Sequence, residues 1–135
     1  MKEKHQDLPV PDALVIIVDD DVAVRSALRF FLEIEGFQVR AFAAASAVLE
    51  ETELLDCCCL VIDQNMPGMC GIDLIDRLRD RKIMAPAILI TTHPTLALKV
   101  RAENAGISIV EKPLLGNILL EEISRSTTNP LSQSH

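Results

Sequence analysis

Three short apolar runs in this chain each end on side chains suited to phosphate chemistry. Leu14–Val18 runs into Asp19, Asp20 and Asp21, Cys57–Ile62 into Asp63, and Ala87–Ile90 into Thr91. Continuous apolar runs this short, bounded by turn residues, read as strands buried on both faces, which in an α/β protein means a parallel sheet. Ligands of such sheets collect at the carboxyl ends of the strands. A fourth run, Ile107–Val110, delivers Lys112 to the same edge. The edge is therefore expected to gather a carboxylate cluster, a hydroxyl and an ammonium, a donor set suited to Mg²⁺ and phosphate.

At 135 residues and 49% hydrophobic content, the chain fits one domain that can bury a single core without disulfides. Its formal net charge of −7 and pI near 4.9 give the attraction behind most nucleic-acid binding the wrong sign. Direct nucleic-acid binding is not expected. No run approaches the roughly 18 apolar residues of a membrane helix, and Met1–Asp7 has no apolar stretch behind its charges. The expectation is a soluble cytoplasmic protein with no membrane partner. Cys57, Cys58 and Cys59 are consecutive, and strand alternation sends neighbours to opposite faces, so they read as small buried hydrophobes rather than metal ligands. Cysteines in such a protein are expected to be reduced. Cys70, in the loop after Asp63, is the candidate reactive thiol. His5, His93 and His135 are too scattered to suggest a metal site.

Strand and helix signals alternate across residues 13–125, while residues 1–12 and 126–135 are polar and aperiodic and are expected to be flexible. A strand near 14–19 precedes a helix near 22–35 that carries Val24, Ala27, Leu28, Phe31 and Leu32 on one face and ends at Gly36. Residues 37–41 alternate as a short strand, and a weaker helix follows near 46–53. After the Cys-rich strand come the turn residues Asn65-Met66-Pro67-Gly68, then a helix carried by Ile72, Leu74, Ile75 and Leu78 to about Arg81. The strand ending at Thr91, a helix near 95–105 stopped by Gly106, the run to Val110 and a last amphipathic helix complete five βα units. Leu114, Leu115, Ile118, Leu119 and Ile123 carry that last helix.

Asp21, at the start of a helix, reads as a cap. Asp19 and Asp20 are adjacent carboxylates at the end of a buried strand. Like charges held so close destabilise the fold unless a cation relieves them, so both are candidate metal ligands. Asp63 ends the strand expected to neighbour the first and is the candidate nucleophile, because a carboxylate can attack a phosphoryl donor to form an aspartyl phosphate. Mg²⁺ suits the site because it takes hard oxygen ligands from one or two carboxylates and completes its shell with phosphate and water. Thr91, favoured over Thr92 by register, can donate a hydrogen bond to a phosphoryl oxygen. Lys112, on restricted backbone before Pro113, can reach inward as the counter-charge.

Val-Asp-Asp-Asp at 18–21, Asp-Gln-Asn-Met-Pro-Gly-Met-Cys-Gly at 63–71, Ile-Thr at 90–91 and Glu-Lys-Pro at 111–113 resemble, in order and spacing, a response regulator receiver domain. The resemblance covers roughly residues 13–125. It implies a flavodoxin-like, doubly wound (βα)5 fold with a five-stranded parallel sheet of order 2-1-3-4-5. It also implies that Asp63 is the phosphoacceptor and that Asp19, Asp20, Asp63 and the Asn65 backbone carbonyl hold Mg²⁺. Thr91 and Lys112 would then sense the phosphoryl group, Gly68 and Gly71 would shape the loop, and the bond before Pro113 would be cis. The partners so implied are a sensor histidine kinase or a histidine phosphotransfer protein, and a downstream protein met by the fourth helix, fifth strand and fifth helix. Such a domain is a two-component signalling module rather than an enzyme, expected here to stand alone because no output domain follows the last helix.

Two positions depart from the family pattern. Three residues before the lysine, where an aromatic usually turns inward on activation, stands Ile109. After Thr91, where a small residue usually opens access to the phosphoryl group, stands Thr92, whose bulk is expected to slow phosphate exchange. Two rival readings follow. A degenerate receiver would act as a phosphorylation-independent interaction module, which Ile109 leaves open and the intact acid cluster opposes. An aspartyl-phosphate phosphatase would need a second aspartate where Asn65 stands.

Overall fold

A computed structural model describes residues 13–51, 57–114 and 118–133, with side chains to residue 126. The three apolar runs form β1 (Leu14–Val18), β3 (Cys59–Asp63) and β4 (Ala87–Thr91), and all their residues except Leu14 are buried. Burial on both faces is what a continuous apolar run requires of a central strand. The less apolar β2 (Gln38–Phe42) and β5 (Ser108–Glu111) take the edges, and every pairing is parallel, in the order β2-β1-β3-β4-β5.

The helices are α1 (Val22–Ile34), α2 (Ala45–Leu49), α3 (Gly71–Asp80), α4 (Leu96–Ala105) and α5 (Ile118–Gln133). Alternation along β1 divides the core into two layers. Val15 and Ile17 pack with Leu28 and Leu32 of α1 and with Leu119 and Ile123 of α5. Ile16 and Val18 face the other layer, with Val48 of α2, Leu74 and Leu78 of α3 and Ala102 of α4. This is the doubly wound (βα)5 arrangement that the sequence implied. Asp21 caps α1, accepting from the N–H groups of Ala23 at 2.9 Å and Val24 at 3.3 Å. Thr95 caps α4 through the Leu98 N–H, and Gly106 ends that helix in the left-handed region that glycine enters at little cost.

Element ends differ from the sequence pattern in several places. β1 stops at Val18, so Asp19 begins the loop. Of the consecutive cysteines only Cys59 lies within β3, with Cys57 buried and Cys58 half-buried just before it. α2 ends at Leu49; residues 52 and 53 of its expected span lie outside the described residues, as do Leu115 and the expected flexible stretch 1–12. α5 continues to Gln133, through most of a tail expected to be flexible from residue 126, with only residues 134 and 135 outside the description. Propagating a formed helix costs less than starting one, so a helix anchored by Leu119 and Ile123 can extend past the residues that anchor it.

Candidate functional site

Strand register assembles the site. Val18 pairs with Ile62, so the chain leaving β1 at Asp19 runs beside Asp63; Asp63 pairs with Ile90, one residue before Thr91; and Thr91 pairs with Glu111, one residue before Lys112. Backbone bonds hold these ends together: Gln64 N donates to Ile90 O at 2.8 Å and Lys112 N to Thr91 O at 2.9 Å. The bond between Lys112 and Pro113 is cis. Asp19, Asp63 and Thr91 are the buried polar side chains among the described residues.

The carboxylates of Asp19, Asp20 and Asp63 each bring an oxygen within 4.8 Å of the others. Lys112 Nζ lies 3.3 Å from Asp63 Oδ1 and 3.9 Å from Asp19 Oδ2. Those two buried oxygens are within ion-pair reach of the ammonium, yet neither has a hydrogen-bond partner. Buried oxygens without partners are costly. One ammonium beside Asp19 and Asp63, with Asp20 in the same cluster, also leaves negative charge uncompensated. Burial pushes the Asp19 carboxyl above its ordinary range; the Asp21 N–H and Lys112 oppose the rise, while the Asp63 and Asp20 charges add to it. Hard, clustered oxygens with unfilled hydrogen-bonding capacity fit a small divalent cation, and Mg²⁺ in particular.

Thr91 is buried at the end of β4, and Thr92 beside it is exposed. Asn65 is exposed in the loop after β3, and its side-chain amide donates to Thr91 Oγ1 at 3.3 Å. Gly71 opens α3 against the end of β3: a Cβ there would lie 2.5 Å from the Asp63 carbonyl oxygen and 2.8 Å from Leu89 Cδ1, so only glycine fits. Gly68 takes a positive φ of 86° in the same loop.

Sequence reading missed three features. Arg25 donates to the Asp19 carbonyl oxygen at 2.8 Å, reaching back from α1 to hold the acid turn. Gln64 Oε1 accepts from Ile72 N at 2.9 Å and caps α3, a role the side chain of Cys70 at the N-cap position does not fill. An apolar groove of about 660 Å³ runs between α1 and α5, lined by Leu28, Phe31 and Leu119 and reaching Thr92 and Lys112. Arg25 and Gln64 each act across a turn, which no periodic pattern signals.

The family model for the response regulator receiver domain matches residues 15–124. The transcriptional regulatory protein FixJ of Rhizobium meliloti is 38% identical over 117 residues, covering 86% of this chain and 57% of that protein. The C4-dicarboxylate transport transcriptional regulatory protein DctR of Rhodobacter capsulatus is 37% identical over 110 residues, covering 79% of this chain and 56% of that protein. Among solved structures, a CheY-like receiver domain protein of Methanospirillum hungatei matches with a TM-score of 0.82 at 27% identity, over 90% of this chain and 98% of that one. The chain spans about half the length of the curated relatives it matches.

Proposed function

Because the chain belongs to the response regulator receiver domain family, we propose that it takes a phosphoryl group onto Asp63 from a phosphohistidine and passes the signal on through protein contacts. The donor in this reading is a sensor histidine kinase or a histidine phosphotransfer protein, met in the cytoplasm. No described helix is long and apolar enough to cross a membrane. The observation that carries the reading is the pair of buried oxygens, Asp63 Oδ1 and Asp19 Oδ2, which accept no hydrogen bond and face Lys112 Nζ within ion-pair reach.

In the transfer, an Asp63 carboxylate oxygen attacks phosphorus, the bond from phosphorus to the donor nitrogen breaks, and its electron pair leaves with the imidazole. Lys112 is placed to meet a phosphoryl oxygen once the Asp63 charge is spent in the new bond, and Thr91 offers a hydroxyl proton to another. Mg²⁺, held by Asp19, Asp20, Asp63 and the Asn65 carbonyl, would neutralise charge gathering on the phosphoryl oxygens. The groove between α1 and α5 gives a protein donor an apolar surface that ends at Thr92 and Lys112. The output surface in this reading is the face of α4, β5 and α5. Incubation with acetyl phosphate and Mg²⁺ is expected to add one phosphoryl mass. Asp63→Asn is expected to abolish the gain, and a normal rate in that variant would remove Asp63 as acceptor.

A further inference from the structure

The reading above uses only the backbone carbonyl of Asn65, yet its side chain makes a contact of its own. The amide donates to Thr91 Oγ1 at 3.3 Å, joining the loop after β3 to the end of β4. A threonine hydroxyl has one proton to give and two lone pairs to accept with. When one lone pair accepts from Asn65, the hydroxyl proton is turned away from the amide. The amide also works from a fixed point. Gln64, the preceding residue, is held at its side chain by Ile72 N at 2.9 Å, at its carbonyl by Gly71 N at 3.0 Å and at its own N–H by Ile90 O at 2.8 Å.

We propose that Asn65 is a positioning residue for phosphoryl recognition: its side-chain amide holds the buried Thr91 hydroxyl so that the single proton faces the phosphoryl group on Asp63. The proposal rests on the reading of Asp63 as phosphoacceptor and adds a second task to Asn65.

A double-mutant cycle of Asn65→Ala and Thr91→Ala tests it, with phosphoryl gain from acetyl phosphate and Mg²⁺ followed by mass spectrometry. Asn65→Ala is expected to slow the gain about two- to tenfold, the worth of one hydrogen bond, and to cause no further slowing in the Thr91→Ala background. A merely structural role would slow both backgrounds alike. Equal slowing in both, an unchanged rate or a faster one would overturn the proposal. In the unphosphorylated protein, methyl NMR of Thr91 is expected to show one side-chain rotamer in the parent and averaging in Asn65→Ala, and an unchanged methyl would also overturn it. If the alanine variant melts early, Asn65→Leu, of similar size and without a donor, takes its place. Failure of the parent to gain mass at Asp63 would instead strike the receiver reading, leaving the methyl measurement to judge the hydrogen bond.

Discussion

Asp19 and Asp20 are neighbours in the chain and occupy opposite surroundings: Asp19 is 1% exposed, whereas Asp20 faces solvent. Adjacency at a strand end identified both as candidate ligands, but which one turns inward depends on where β1 stops, and a one-residue boundary is invisible in composition. The electrostatic strain therefore concentrates on Asp19, whose carboxyl is held above its ordinary range chiefly by burial. Between the ordinary value and the raised one, the folded protein binds more protons than the unfolded chain, so this group makes stability rise as pH falls through that window. In EDTA, Asp19→Asn is expected to lack this component and to be more stable than the parent at pH 7 by on the order of 1 kcal/mol, because it removes the burial penalty on the charge and its repulsion by Asp63 and Asp20. The other carboxylates are common to both proteins, so the difference between their melting curves isolates Asp19. Mg²⁺ is expected to stabilise the parent by mass action and the variant much less. A parent no less stable than Asp19→Asn at neutral pH without metal would show that Lys112 alone relieves the cluster.

At the scale of elements, the apolar runs were legible because a strand buried on both faces leaves a continuous apolar signature, and Asp63 and Thr91 came with them as strand ends. Helices were legible where one stripe meets the sheet, as with Leu28 and Leu32 of α1 and Leu74 and Leu78 of α3. Boundaries set by a single cap or by propagation were not, hence the short α2 and the long α5. α4 occupies the expected span, yet only Ala102 of it is buried, while Leu96 and Val100 are 77% and 49% exposed. β3 and α3 approach closely where Gly71 meets the Asp63 backbone. Gly71→Ala would force a methyl to 2.5 Å from the Asp63 carbonyl, and backbone has no flexible end to give way. Overpacking of this kind costs about 1–3 kcal/mol. The variant is expected to melt several degrees lower and, because the displaced atom belongs to Asp63 itself, to gain a phosphoryl group more slowly. Normal phosphorylation in a destabilised Gly71→Ala protein would separate the packing role of that glycine from the site.

For the whole molecule, a change on Asp63 has a short route outward: Thr91 and Lys112 are joined by a backbone bond, and β5 and α4 lie next to them. Ile109, half-buried on β5, packs against the same core layer as Leu98 and Ala105 of α4. Where the family pattern has an aromatic, the inward and outward positions of the side chain differ by a large apolar area; an isoleucine offers less, so the free-energy gap between the two states shrinks. An inward isoleucine rewards the active position less, so under the proposed function phosphorylation alone would favour that state only modestly and a partner would complete the shift by binding it more tightly. Under the proposed function, the exposed Leu96 and Val100 would give that partner apolar surface on α4. With beryllofluoride as phosphoryl mimic, amide NMR shifts are expected to spread from Asp63 through Thr91 to residues 95–120 while remaining intermediate in size. Ile109→Tyr, which restores the aromatic, is expected to enlarge them. Shifts confined to residues around Asp63, together with partner binding indifferent to the mimic, would instead favour an interaction module that works without phosphorylation.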